Sequence, residues 1–329
     1  MLKFIKKTLG FILTVVILFA LIVAVSGKCF IKFKGADEFY SRWMADIDDE
    51  CLLQDIVIPG SHDAGTKGMV WLGETQCYTV NEQLLSGVRY FDLRVNQKDG
   101  ELVIFHSIIN GTEFIPILQD IYEFIIENES EVLLLDFQHF SGDSQHRVRE
   151  LIEEFFLNDN LLVFNDTDKS DLQFISELTL GEARGKCIVF WGDRSAEFSE
   201  INYLFTRNND NCSHTDMSLN SYYFEEYHKG SSKNLIYNAF PTYFQRIEEK
   251  IYNEGYKGIF VLQAQLTDGN LIFGPWSRER AHNKNVSEYI ENLKEFEQIN
   301  YVNVIMRDFI TTQKCEQIIS LNNFKWITI

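Results

Sequence analysis

Positive charge is in short supply in this chain. Thirty Lys and Arg stand against 48 Asp and Glu in 329 residues, a formal net charge of -18. Phosphate backbones are gripped by Lys and Arg, so nucleic acid is disfavoured as a partner, as is broad adsorption to an anionic membrane leaflet. Any phosphate chemistry has to rest on a local cation set in an acidic molecule. Proline is scarce too, at four residues. No Pro/Gly/Ser-rich linker or internal repeat divides the chain beyond about residue 40, which argues for one catalytic-type domain over residues 36–329 behind an N-terminal segment, 1–35. The six cysteines (Cys29, Cys51, Cys77, Cys187, Cys212, Cys315) include no CxxC pair, so zinc-ligand spacing is missing. A secretory route would permit one or two disulfides without revealing their partners. Cys187, inside "KCIVFW", reads as a buried thiol.

What is present begins with Lys3, Lys6 and Lys7, followed by an uncharged apolar stretch from Leu9 to Gly27. A charged start and an apolar run form the pattern of a secretory signal or a membrane anchor. Ala24 and Ser26 would permit cleavage after Ser26, yet the run exceeds a usual signal core and nearly spans a bilayer. The chain is therefore expected to be membrane-anchored or secreted. Lys28, Lys32 and Lys34 follow, so charge asymmetry does not settle the orientation. Glycosylation sequons at Asn110, Asn128, Asn165, Asn211 and Asn285 are compatible with that route.

Beyond the apolar segment, strand-like runs alternate with helical patterns. The expected strands are "DIVI", "VRYFDLRV", "ELVIFH", "EVLLLDFQ", "KCIVFW", "NLIYNAF", "KGIFVLQAQL" and "YVNVIMRDF". Most are continuous apolar runs rich in β-branched and aromatic residues, as strands buried on both faces require. Helices are expected at "FIPILQDIYEFIIE", "HRVRELIEEFFL", "YFQRIEEKIYNEG" and "VSEYIENLKEFEQ". About eight strands alternating with helices point to an α/β fold, a TIM-type β/α barrel or a doubly wound sheet. "NQKDG" is too short for a crossover between its two flanking strands, so a barrel would be irregular there. The polar, Asn- and Ser-rich stretch from about Ser195 to Lys233 reads as an insertion or long loop.

Polar residues collect where these runs end, the place where parallel barrels carry their chemistry. "DIVIPGSHDAGT" delivers His62 and Asp63. "VRYFDLRV" carries Asp92 and Arg94, two apart and so on one strand face. His106 ends the next run, Asp136 and Gln138 lie in the following one, and Asp308 closes the last. Each alone has a structural explanation, such as a capping His or a buried ion pair; together on one rim they make a constellation. Ligand type would allow a metal at His62, Asp63, Asp92 and His106. Arg94 projects into the same space, however, and a guanidinium suits a phosphate oxygen. Two histidines beside it suit general base and general acid roles in metal-free phosphodiester cleavage. His139, His146, His214, His228 and His282 have no such setting and read as structural or surface residues.

The stretches "IPGSHDAGT", "LLSGVRYFDLRV", "LVIFHS" and "EVLLLDFQHF" resemble the X region of phosphatidylinositol-specific phospholipases C. The likeness continues through "LGEARGKCIVFW" and "FVLQAQLT" to "VNVIMRDF". It is nearest to the X-domain-only proteins related to the secreted bacterial enzymes, rather than to the calcium-dependent signalling enzymes. The resemblance implies a distorted TIM-type barrel, no metal or other cofactor, and a phospholipid substrate in a membrane. It further implies His62 as base with Asp308 as its partner, His106 as acid supported by Asp63, and Arg94 on the phosphate with Asp92 fixing its geometry. Asp136 and Gln138 would be headgroup contacts, although Gln138 stands where the bacterial enzymes place a basic residue. Their aromatic inositol platform has no match after Trp191. Met69, Val70, Trp71 and Leu72, in the loop after the first strand, would dip into the lipid or pack over the barrel top. Two rival readings are a magnesium-dependent phosphodiesterase of the same barrel type and a non-catalytic, membrane-tethered lipid-binding adaptor.

Overall fold

The computed structural model describes residues 2–165, 168–192, 195–208, 218–222, 231–255, 257–266 and 272–325. Cys212, His214, His228 and the Asn211 sequon lie outside them. Among the described residues, ten strands form one sheet: β1 (Ile58–Ser61), β2 (Tyr90–Lys98), β3 (Glu101–His106), β4 (Ile109–Glu113), β5 (Val132–Ser141), β6 (Lys186–Trp191), β7 (Leu204–Asn208), β8 (Leu219–Tyr222), β9 (Ile259–Gln263) and β10 (Val304–Arg307). Eight of them are parallel and close a barrel in the order β1, β2, β5, β6, β7, β8, β9, β10, with β1 paired to both β10 and β2. Gly60 sits at that seam, where an added Cβ would lie 2.9 Å from Val304 Cγ1 and 3.0 Å from Tyr90 Cδ1. Any side chain there would wedge the seam open.

The irregularity expected at "NQKDG" is a β-hairpin. Lys98 pairs with Glu101 antiparallel, and Asp99 and Gly100 both take positive φ, the backbone of a two-residue primed turn. β3 and β4 thus leave the ring as a flap on β2. Helices cover the outside, and the four expected ones are all present. Phe114–Glu127 matches its predicted span, while the helix expected at "VSEYIENLKEFEQ" starts earlier and runs Gly274–Asn292.

Three sequence expectations need correction. The first strand is Ile58–Ser61, not Asp55–Ile58, because Leu53–Asp55 forms a 3-10 turn and Asn303 Nδ2 donates to the Ile56 carbonyl. "NLIYNAF" is helical: Ser231 caps Asn234, and Leu235, Ala239, Tyr243 and Ile247 form a buried row four residues apart. The stretch read as a loop from Ser195 to Lys233 contains two barrel strands, β7 and β8. A 25-residue helix, Leu2–Ser26, projects from the barrel with its apolar side chains from Leu9 to Ile22 exposed, unlike a buried core helix.

Candidate active site

The site sits at the C-terminal ends of β1, β2 and β10, with β3 contributing from the flap. Each of its outer residues is the last before a sharp turn. His62, His106 and Asp308 are followed by Asp63, Ser107 and Phe309, which all adopt φ between 45° and 56°. Positive φ is rare outside glycine and clusters where function demands a fixed backbone. Here each turn leaves the preceding side chain at the strand tip.

His62 Nδ1 lies 2.7 Å from Asp308 Oδ1. A carboxylate only accepts, so Nδ1 carries the proton and Nε2 is left to act on a ligand. Nε2 faces Arg94 Nη2 at 3.2 Å and Asp63 Oδ2 at 3.4 Å. The neutral ring can accept from Arg94, and the protonated ring is matched by Asp63. Burial lowers the His62 pKa, but Asp63 and Asp308 outweigh it and, against Arg94, push it up to about 9. Burial likewise opposes the charge on Arg94, and Asp63 and Asp92 more than offset it. Arg94 Nε is 2.7 Å from Asp63 Oδ1, and Nη2 is 2.9 Å from Asp92 Oδ2. Burial raises Asp92, yet Arg94 and His62 hold it below the usual carboxylate range. Burial dominates at Asp308, whose pKa is raised. His106 gives its Nδ1 hydrogen to the Gly73 carbonyl at 3.1 Å, which turns Nε2 toward Asp63 Oδ2 at 3.8 Å.

All six residues assigned to catalysis or phosphate binding therefore meet at one point. His62, Asp63 and Asp92 also offer ligand atoms within 4.8 Å of one another, a set able to hold a cation. The Arg94 guanidinium already lies against all three. A cavity of about 420 Å³ opens above His62, His106 and Asp308, walled by Val70, Leu72 and Ile109.

The family model for the phosphatidylinositol-specific phospholipase C X domain matches residues 52–192, a span that includes five of these six residues. This segment is similar to an X domain. A PI-PLC X-box domain-containing protein of Dictyostelium discoideum is 28% identical over 164 residues, covering 41% of this chain and 22% of that protein. The 1-phosphatidylinositol phosphodiesterase of Listeria monocytogenes is 24% identical over 299 residues, covering 86% of this chain and 85% of that enzyme. The mouse PI-PLC X domain-containing protein 2 is 31% identical over 153 residues, covering 35% of this chain and 45% of its own length. Among solved structures, the phosphatidylinositol-specific phospholipase C of Listeria monocytogenes superposes with a TM-score of 0.64 at 22% identity, over 86% of this chain and 98% of that one. That likeness carries the barrel fold.

Two expectations about the site and its surroundings change with the geometry in view. Asp136 is already fully engaged by protein groups. It is fully buried inside the barrel, its carboxylate held by Arg207 at 2.5 and 2.9 Å and by the Tyr90 hydroxyl at 2.6 Å. Met69 is 3% exposed, packed beneath Gly73 and Gly111, so it belongs to the core and not to a lipid contact. Val70 is half exposed, and Trp71 and Leu72 are partly so. Gln138 is buried near the end of β5. His139, read as a structural or surface residue, is exposed and lies opposite Arg94 in the β2–β5 register.

Sequence reasoning missed Thr75 and Gln76. Gln76 Nε2 donates to the carbonyls of His62 (2.7 Å) and Arg307 (3.1 Å), and its Oε1 accepts from Ile310 N at 2.9 Å. It staples β1 to β10 just where His62 and Asp308 must meet. A glutamine in a polar loop carries no local signal of that role.

Proposed function

We propose that this protein is a phosphatidylinositol-type phospholipase C that works without a divalent metal. The observation that supports this best is the placement of Arg94 against His62, Asp63 and Asp92, the position a cation would otherwise take. A fixed guanidinium in a dry site stabilises charge developing on a nonbridging phosphate oxygen. His62 Nε2 takes the proton of the inositol 2-hydroxyl while Asp308 balances the charge gained by the ring. The alkoxide oxygen bonds to phosphorus, the bond from phosphorus to the diacylglycerol oxygen breaks, and His106 Nε2 gives that oxygen its proton. The products are diacylglycerol and inositol 1,2-cyclic phosphate. Hydrolysis of the cyclic product runs through the same pair with roles exchanged. Asp92 fixes Arg94, and Asp63 links Arg94 to both histidines.

Substrate reaches this site from a bilayer. Ile108 is 92% exposed at the tip of the flap, directly beyond His106 and Ser107; it lines the cavity with the exposed Val70, and Ile272 and Phe273, just before the lining residue Gly274, are exposed too. Exposed apolar residues gathered at a cavity mouth suit insertion at a lipid interface. The Leu2–Ser26 helix provides membrane anchorage or, if removed, the secretory address.

The deciding assay is release of water-soluble headgroup from phosphatidylinositol vesicles with excess chelator present. Release of cyclic inositol phosphate is expected to persist, and His62→Ala and His106→Ala each to lower it by roughly 10²–10⁴-fold. Activity lost to chelator and restored by a divalent ion would transfer the phosphate-binding role from Arg94 to a metal. No turnover by folded protein would leave a lipid-binding role.

A further inference from the structure

The Leu2–Ser26 helix contains a 20-residue stretch, Lys6–Val25, with mean hydropathy 2.9, long enough to cross a hydrocarbon core. Its free surface ends at the barrel. Val23 is buried, and Gly27 is pressed so closely that an added Cβ would lie 2.6 Å from Trp71 Cδ1 and 2.9 Å from the Phe273 carbonyl oxygen. Trp71 in turn donates from Nε1 to the Ile272 carbonyl at 3.1 Å. The two loops that Gly27, directly after the helix, packs against are those exposing Val70, Ile272 and Phe273.

A covalent link makes this contact permanent. Cys29, three residues after the helix ends, is disulfide-bonded to Cys77. The Cys29 N–H also donates to Glu74 Oε2 at 3.3 Å. Cys77 directly follows Gln76, the residue that staples the His62 and Asp308 strands together. Three residues can span no more than about 10 Å. Without the link, the next anchor is Phe33, packed edge-on against Tyr78 at 5.3 Å between ring centroids, and the seven residues 27–33 would reach about 23–25 Å when extended. Lys28, Lys32 and Lys34 fall in or directly after this short connection, although the whole chain carries a net charge of -18. All three lie within eight residues of the end of the apolar helix, within reach of lipid headgroups once that helix is embedded.

We propose that the Cys29–Cys77 disulfide clamps the cavity mouth to the surface of the bilayer in which the protein's own helix is embedded, so that the protein acts on lipids of that membrane and not on a facing one. The inference rests on reading the site as a lipid phosphodiesterase and the helix as spanning. The clamp raises the effective concentration of rim against bilayer by shortening the tether.

The test uses the full chain reconstituted into phosphatidylcholine vesicles containing phosphatidylinositol. A photo-crosslinking benzoylphenylalanine placed at Ile108 reports contact with lipid, and acceptor vesicles with labelled phosphatidylinositol report action on a second membrane. The Ile108 probe is expected to yield lipid adducts with the disulfide intact, and Cys29→Ser/Cys77→Ser to lower that yield at least about tenfold. The intact protein is expected to cleave substrate in its own vesicles and spare the acceptors, and the double variant to lose that confinement. If the double variant does not fold, wild-type protein before and after phosphine reduction, with its melting curve monitored, provides the same comparison. Equal adduct yield and equal confinement with and without the disulfide, in folded protein, would overturn the proposal. Disulfide-dependent adducts without hydrolysis by any form would remove the phospholipase reading and leave the clamp standing.

Discussion

His62 is held at about 9 by Asp63 and Asp308, so at neutral pH the free site holds an imidazolium. A base acts only after losing its proton, and the active fraction must therefore rise with pH. We expect kcat/KM for phosphatidylinositol cleavage to climb along an alkaline limb with an apparent pKa near 9, since that parameter reports the free enzyme. Asp308→Asn removes one of the two carboxylates that raise His62. The limb should move to lower pH while the maximal rate falls roughly 10²-fold or more, as the ring loses the anion that balances its charge. A pH–rate profile unmoved by that substitution would mean His62 is not the base. Much at this scale could be read in the sequence. The apolar runs end at His62, His106 and Asp308, and the structure turns Arg307, next to Asp308, away to Asn283 and Glu279. Asp136 misled because a carboxylate at an inward position looks alike whether a ligand or Arg207 meets it, and Arg207 lies 71 residues away.

Among the elements, strands announced themselves when they were apolar and long. β5 and β6 each stood out as continuous buried runs. β7 and β8 did not, because "LFTRN" and "LNSY" bury polar groups, Arg207 and Asn220 among them, that only the closed barrel can satisfy. "NLIYNAF" looked like a strand because a seven-residue window hides the four-residue spacing that continues to Ile247. Elsewhere buried charge ties elements together. Arg89, just before β2, is fully buried and pairs with Glu131, just before β5, at 2.8 Å. The same guanidinium donates to the carbonyls of Tyr40 and Ser41, and Glu131 accepts from Met44 N. Glu131→Gln would leave that cation without its counter-charge, and we expect a loss of about 3–5 kcal/mol in urea unfolding. A change below about 1 kcal/mol would show that the backbone carbonyls suffice to hold Arg89.

For the molecule as a whole, one sheet closure carries both the fold and the site: β1 must meet β2 and β10 before His62 can reach Arg94 and Asp308. Such long-range pairing is not written in any local stretch, and the resemblance of several short motifs in order made the barrel legible instead. The acidic body and apolar helix make opposite demands on solvent. Chain lacking residues 1–26 is expected to stay folded and to remain in the aqueous phase, while the full chain sediments with vesicles; co-sedimentation of both would place the main membrane affinity in the cavity rim. The Cys29–Cys77 bond adds a dependence on where the barrel resides. Protein disulfides persist in oxidising compartments and are kept open in the cytosol. A molecule inserted with its barrel outward would be tightly coupled to its bilayer, and one inserted the other way round would hang on a slack lead. Membrane orientation would then set how hard the same polypeptide works, with no change in a single catalytic group.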